Sequence, residues 1–163
     1  FQQTISQPYV VARMIELLLE GPERRALGKT LEIGAGCGYQ AAVLAMLTRE
    51  LYAVERIEAL LARARKHLTQ LRMAHVRFKH ADGNLGLAEA APFDSIIVAA
   101  AAPRVPQTLL DQLSPGGRLV LPVGGMSNGE QMITLIERKA TGGGFTETRF
   151  DAVRFVPMVV GIE

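Results

Sequence analysis

Apolar and polar positions along this chain follow two periods, and each change of period marks an element. Across residues 8–20, Val10, Val11, Met14, Leu17 and Leu18 recur three and four positions apart, which predicts a helix with one buried stripe. Short apolar runs then alternate with helical stretches. Strands are expected at 30–33, 51–55, 76–80, 95–98 and 118–123, with helices at about 39–48, 57–71 and 106–113. Ser95-Ile96-Ile97-Val98 is a continuous apolar run of the kind buried on both faces of a parallel sheet. Residues 85–89 are a short polar–apolar segment, and Ser114-Pro115-Gly116-Gly117 is a helix stop. Two more extended segments, 131–139 and 147–156, flank Gly142-Gly143-Gly144 and read as an antiparallel pair at the sheet's end. Strands separated by helices predict an α/β fold with a doubly wound, mostly parallel sheet. No repeat or interdomain linker interrupts residues 1–163, so one domain is expected, with 124–129 as a mobile loop.

The strongest local signal lies where Leu31-Glu32-Ile33 runs into Gly34-Ala35-Gly36-Cys37-Gly38 and on to Tyr39-Gln40. Glycine permits positive φ and removes the Cβ that would hold a ligand away from the backbone. Strand, glycine turn and helix start together form a nucleotide-binding corner. A dinucleotide fingerprint, G-x-G-x-x-G, needs glycine at position 39, where this chain has Tyr39. The spacing G-x-G-x-G after Glu32 resembles instead the first motif of S-adenosylmethionine-dependent methyltransferases. An ordinary tight turn would use the same glycines.

Acidic residues follow at the next two strand ends. Glu55 closes the second strand 21 residues after Gly34, near the offset of roughly 20 at which an acid meets a ribose diol. An ionised carboxylate accepts stronger hydrogen bonds than a neutral group. Asp82 follows the third strand, placed either to accept from an adenine amino group or to nucleate the turn before Gly83.

Composition narrows the field. The chain of 163 residues is long enough to bury a core, and no run of 18 uncharged apolar residues suggests a spanning helix. No export signal opens it, and its single cysteine forbids an internal disulfide, as expected of a cytoplasmic protein. Cys37, at a helix start, is a candidate for a lowered thiol pKa or, more simply, a small residue filling a tight turn.

Five segments carry a resemblance that spans the chain. They are Thr4-Ile5-Ser6-Gln7-Pro8, the glycine motif, Phe93-Asp94-Ser95-Ile96-Ile97-Val98, the stretch 116–124, and Val153-Arg154-Phe155-Val156-Pro157-Met158. In order and spacing they resemble the protein-L-isoaspartate O-methyltransferases, and the first and last are more specific than the glycines. The resemblance implies a Rossmann-like class I methyltransferase fold that takes a methyl group from S-adenosylmethionine to the free carboxylate of isoaspartyl residues in damaged proteins. The ester then closes to a succinimide, initiating repair, and S-adenosylhomocysteine is the second product. Ser6 would touch the reacting carboxylate (helix capping is its other reading). Thr4, Ile5, Gln7, Pro8, Val156 and Pro157 would line the peptide groove. Around the cofactor the resemblance puts Glu32, Gly34, Ala35, Gly36, Gly38, Glu55, Arg56, Asp82, Gly83 and Ala99. No metal is implied.

Departures accompany the resemblance. Ala81 stands where the family carries glycine, Ala99 where it has threonine, and aromatic residues are usual near Asn84 and Leu87. The family also has roughly fifty residues ahead of the segment that begins here with Phe1. These points motivate one alternative, a binding module that holds the cofactor without catalysis.

The chemistry suits the residues. A carboxylate with a reference pKa near 4 is ionised at neutral pH, so the nucleophile needs no general base. Alignment of oxygen, methyl and sulfur is then the main task, and a site without a Ser-His-Asp constellation is adequate. A nucleic-acid methyltransferase is a second alternative, since Arg63, Arg65, Lys66, Arg72, Arg77 and Lys79 lie in a stretch without acids. The formal net charge is only +2, however, and Ala99-Ala100-Ala101-Ala102-Pro103 replaces the polar-Pro-Pro-aromatic motif of base-amine enzymes. A metal-dependent catechol methyltransferase lacks an acidic cluster here, and His67, His75 and His80 have no ligand spacing. The expected partners are therefore isoaspartyl peptides and proteins, with no nucleic acid or membrane, and the chain is expected to be a monomer.

Overall fold

Seven strands, four α-helices and two 3₁₀ turns order the residues that the computed structural model describes, 6–21, 26–125 and 129–163. Thr4, Ile5 and residues 126–128 of the expected loop lie outside them. The first helix, α1 (Pro8–Leu19), begins on a proline, whose fixed φ and missing N–H suit a first turn. It buries Val11, Met14, Ile15, Leu17 and Leu18, with Val10 at the half-buried margin.

Next come β1 (Lys29–Ile33), α2 (Tyr39–Ala45), β2 (Glu50–Glu55), α3 (Glu58–Gln70) and β3 (Arg77–His80). The 3₁₀ turns Gly83–Leu85 and Ala88–Ala90 lead to β4 (Phe93–Val98), α4 (Gln107–Asp111) and β5 (Leu113–Val123). A hairpin, β6 (Gln131–Arg138) and β7 (Phe145–Val153), follows. The order across the sheet is β3-β2-β1-β4-β5-β6-β7. Pairings are parallel as far as β5, then antiparallel for β5–β6 and β6–β7. This is the mostly parallel sheet with an antiparallel end that the hydrophobic pattern predicts.

The strand period of two assigns side chains to faces. Leu31 and Ile33 join Phe93, Ile96, Val98 and Leu109 on the α4 side. Leu51, Ala53 and Ile97 join α1, α2 and Leu68 of α3 on the other. A one-residue slip of β1 would drive Glu32 into the α4 cluster and turn Leu31 and Ile33 onto the face packed by α1 and α2, disrupting both close-packed clusters, so register is strongly set.

Strand β5 differs from expectation. It starts at Leu113, not 118, and takes the Ser114-Pro115-Gly116-Gly117 stop into the strand as an irregularity opposite Phe93 and Ser95. Gly116 has φ +76°, and a Cβ on Gly117 would come within 2.8 Å of the Ser114 carbonyl oxygen. The helix ends ahead of this segment: α4 is five residues long and stops at Asp111. No helix of the described residues is long and apolar enough to cross a membrane.

Chain direction positions the site. From β1 the chain runs outward through β2 and β3, then crosses to β4 on the other flank of β1. Helices leave the carboxyl ends of β1 and β4 in opposite directions there, opening the crevice in which sheets of this kind hold ligands.

Candidate active site

A cavity of about 300 Å³ occupies that crevice, a volume at the small end of those that hold small molecules. Its floor is the turn after β1. Gly34, Gly36 and Gly38 all have positive φ (+86°, +54° and +91°), but a Cβ would meet different surroundings at each. At Gly36 nothing lies within 4 Å, so the backbone faces open space. At Gly34 it would touch the Ala99 Cβ at 3.5 Å. At Gly38, the N-cap of α2, it would press on Leu68 Cδ1 (2.8 Å) and Ala64 Cα (3.1 Å) of α3. One glycine thus opens the cavity and another lets two helices approach.

Glu55 stands at the rim, 5% exposed. Its Oε2 accepts from the Gly36 N–H (2.8 Å) and its Oε1 from the Ile57 N–H (2.9 Å). Each oxygen keeps a second lone pair, so the carboxylate is oriented without being saturated.

Glu32 lies beneath the turn with no exposed surface and is not part of the cavity wall. Its Oε1 accepts from Gln40 Nε2 (3.1 Å), and Gln40 borders the cavity. Burial, opposed by the Gln40 hydrogen bond and reinforced by the charge of Glu55, pushes the Glu32 carboxyl up to about 8.

A tail closes one side. After β7 the chain returns across the carboxyl edge of the sheet, where Val156, Pro157, Met158 and Val159 line the cavity. The Ala101 N–H donates to the Val156 carbonyl and the Met158 N–H to the Ala101 carbonyl, both at 2.8 Å. Farther on, the Gly161 N–H donates to Asp82 Oδ2 (2.7 Å), Arg56 Nε to the Gly161 carbonyl (3.0 Å) and Asn84 Nδ2 to the Val159 carbonyl (3.1 Å). Asp82 Oδ1 accepts from the Asn84 N–H (2.8 Å) and Nδ2 (2.9 Å). Burial works against the Asp82 charge, but these donors and Arg56 outweigh it and hold the carboxyl below the ordinary range.

Ser6, half-buried, also borders the cavity. The helix N-cap is Gln7, one position later, and no side chain caps it. Ala35, Arg56, Gly83 and Ala99 lie on the wall. Gln7, Pro8 and Asp82 do not, and Gly38 contributes through packing. Met158, the end of the segment expected along the groove, lines the cavity too, and Cys37, Tyr39, Gln40 and Arg63 do so although the sequence pattern gave them no role there. For Gln40 a signal existed: a polar residue in the first turn of α2, on the side that alternation assigns to the core.

Comparison with known proteins gives the family. The family model described as Protein-L-isoaspartate(D-aspartate) O-methyltransferase matches residues 1–163. The chain belongs to that family. Named as a protein-L-isoaspartate O-methyltransferase, a relative from Azoarcus sp. (strain BH72) is 65% identical over 163 residues, covering 100% of this chain and 72% of its own. One with the same name from Dechloromonas aromatica (strain RCB) is 64% identical over 161 residues, covering 99% and 71%. A solved protein-L-isoaspartate O-methyltransferase superposes with a TM-score of 0.82 at 27% identity, covering 96% of this chain and 49% of that one. A Plasmodium falciparum chain of the same description, solved with S-adenosyl-L-homocysteine, shares the fold with a TM-score of 0.78 at 22% identity, covering 98% and 77%.

Proposed function

We propose that this isoaspartyl methyltransferase family member binds S-adenosylmethionine in the crevice above Gly34 and Gly36 and presents an isoaspartyl carboxylate to it beside Ser6. The supporting observation is that Ser6, Gly36, Glu55 and Pro157, drawn from four distant parts of the chain, border one cavity. The residues fit a nucleoside. Gly36 faces open space where a Cβ would intrude, and Glu55 offers unused lone pairs at the rim.

When bound, S-adenosylmethionine supplies the transferable methyl group on a sulfonium with a good leaving group. The protein's own part is placement. Glu55, held by two backbone N–H groups, accepts from the ribose hydroxyls. Ser6 donates its hydroxyl to one oxygen of the substrate carboxylate, leaving the other oxygen to attack. Residues 156–158, already tied to Ala101 on one edge, offer the Pro157 carbonyl to an extended peptide. Because the attacking group is already ionised, this alignment carries the rate, and no side chain has to remove a proton. A cytoplasmic location and a monomeric state belong to the same reading, since damaged soluble proteins are the substrate class.

Methyl incorporation by the full protein, compared between an isoaspartyl peptide and its normal aspartyl isomer, tests the reading. Transfer to the isoaspartyl peptide alone is expected. Cofactor binding without transfer would support the non-catalytic module instead. Ser6→Ala should lower kcat by about tenfold or more while moving cofactor affinity by less than about twofold. The reverse pattern would return Ser6 to a structural role at the start of α1.

A further inference from the structure

Two buried polar atoms near the cavity have no partners, and they belong to one pair of side chains. Glu32 Oε2 and Gln40 Oε1 both lack a hydrogen bond, although Gln40 Nε2 reaches Glu32 Oε1 at 3.1 Å. Glu32 is flanked along the sheet by Ala53 and Ile97 and has no exposed surface. Left ionised, it would be a buried charge with one bare oxygen, among the costliest arrangements a core can hold. A single proton on Oε2 removes the charge and supplies a donor, with Gln40 Oε1 as the available acceptor.

The packed elements favour that proton. α2 carries no charged residue, and the inward residues of α1 are apolar. Arg13 of α1 is engaged at the surface by Glu16, Glu20 and Asp151. On β4, Asp94 accepts from the Lys29 N–H (2.8 Å). Arg56, after β2, turns to the tail at Gly161, and His67 of α3 bonds the Cys37 carbonyl. Arg63 of α3 borders the cavity itself. Glu55 of β2 adds negative charge to the Glu32 site.

Gln40 touches both this carboxyl and the cavity. The two forms of the cofactor read for that cavity differ by one charge at sulfur, a sulfonium in the methyl donor and a neutral thioether in the product. A cation stabilises an ionised carboxylate nearby, and a thioether does not. We propose that Glu32, acting through Gln40, is a positioning residue that senses this charge: it keeps its proton when the cavity is empty or holds the thioether, and releases it to solvent when the cavity holds the sulfonium. One carboxyl O–H bond breaks, the proton goes to buffer, and no bond to the ligand forms. Methyl transfer then removes the positive charge, Glu32 regains a proton, and the product loses the attraction that held the donor. This inference rests on the cofactor reading above.

Calorimetric titration of the full protein with S-adenosylmethionine and with S-adenosylhomocysteine, in buffers of different ionisation enthalpy across neutral pH, is the test. The wild type should release more protons with the donor than with the product. The ratio of donor to product affinity should rise with pH, by about tenfold in total for each pKa unit that the sulfonium takes from Glu32. Glu32→Gln should abolish the excess release and flatten the ratio, and the difference from wild type isolates this carboxyl from the cofactor's own amino group. Should that variant not fold, infrared difference spectra of the wild type answer the same question. Loss of a protonated-carboxyl band with the donor but not the product supports the inference, and an unchanged band with both overturns it. Equal proton exchange for the two ligands overturns the inference and leaves the cofactor reading standing. Failure of both ligands to bind overturns both.

Discussion

Single positions around the first turn separate folding from binding. Gly36 and Gly38 are both left-handed, so alanine strains the backbone at either, by about 1–2 kcal/mol. Their surroundings predict different outcomes. Gly36→Ala would place its methyl in open space on the cavity side, so cofactor Kd should rise about tenfold or more with a stability loss confined to the backbone term. Gly38→Ala would meet Ala64 and Leu68 of α3 and should cost more stability, about 2–4 kcal/mol, with a smaller change in Kd. Denaturant midpoints and calorimetric affinities measured on both variants check the pair. Equal effects on Kd would mean that the two glycines serve one purpose. The sequence displays three alike glycines, and only the packing of α3 against the start of α2 tells them apart.

At the scale of elements, helix and strand periods located every core element to within a few residues. The exception, β5, shows what periodicity misses. The Ser-Pro-Gly-Gly segment that reads as a helix stop falls inside β5, whose parallel pairing with β4 begins at Leu113 and continues beyond the irregularity at Arg118. The tail was legible only as a motif. Its anchor on Asp82 joins residues 79 positions apart, a distance at which local patterns carry no information. Asp82→Ala removes the acceptor for the Gly161 N–H and for Asn84. A hydrogen bond to a charged acceptor contributes about 1.5–3 kcal/mol, so amide exchange at Gly161 should accelerate roughly ten- to a hundredfold while β1 and β4 stay protected. Unchanged exchange would show that Arg56 and Asn84 hold the tail without Asp82. Gln40 was legible only as a polar residue on the core side of α2: its partner, Glu32, lies on the preceding strand, outside the pattern of its own helix.

Across the whole molecule, the basic stretch on α3 and β3 is largely stitched to the protein itself. Arg77 pairs with Glu50 (3.4 Å), Lys79 with Glu89 (2.8 Å), and Arg65 reaches the Phe78 carbonyl (3.2 Å). Such exposed pairs stabilise little, yet they dilute the local positive field that nucleic acid would need. Retention on a nucleic-acid column should therefore vanish at moderate salt, with a shallow salt slope. Retention that survives moderate salt would reopen a nucleic-acid substrate.

The cavity draws its walls from residues 6, 11, 33–37, 39–40, 54–57, 60, 63, 83, 99–100 and 156–159. No contiguous stretch of the polypeptide owns it, so it exists only after the central strands have paired and the two ends of the domain have met. Occupancy is consequently coupled to global unfolding rather than to the opening of one loop. A ligand at a hundred times its Kd should raise the unfolding free energy by about 2.7 kcal/mol and slow exchange even at the most protected amides of β1 and β4.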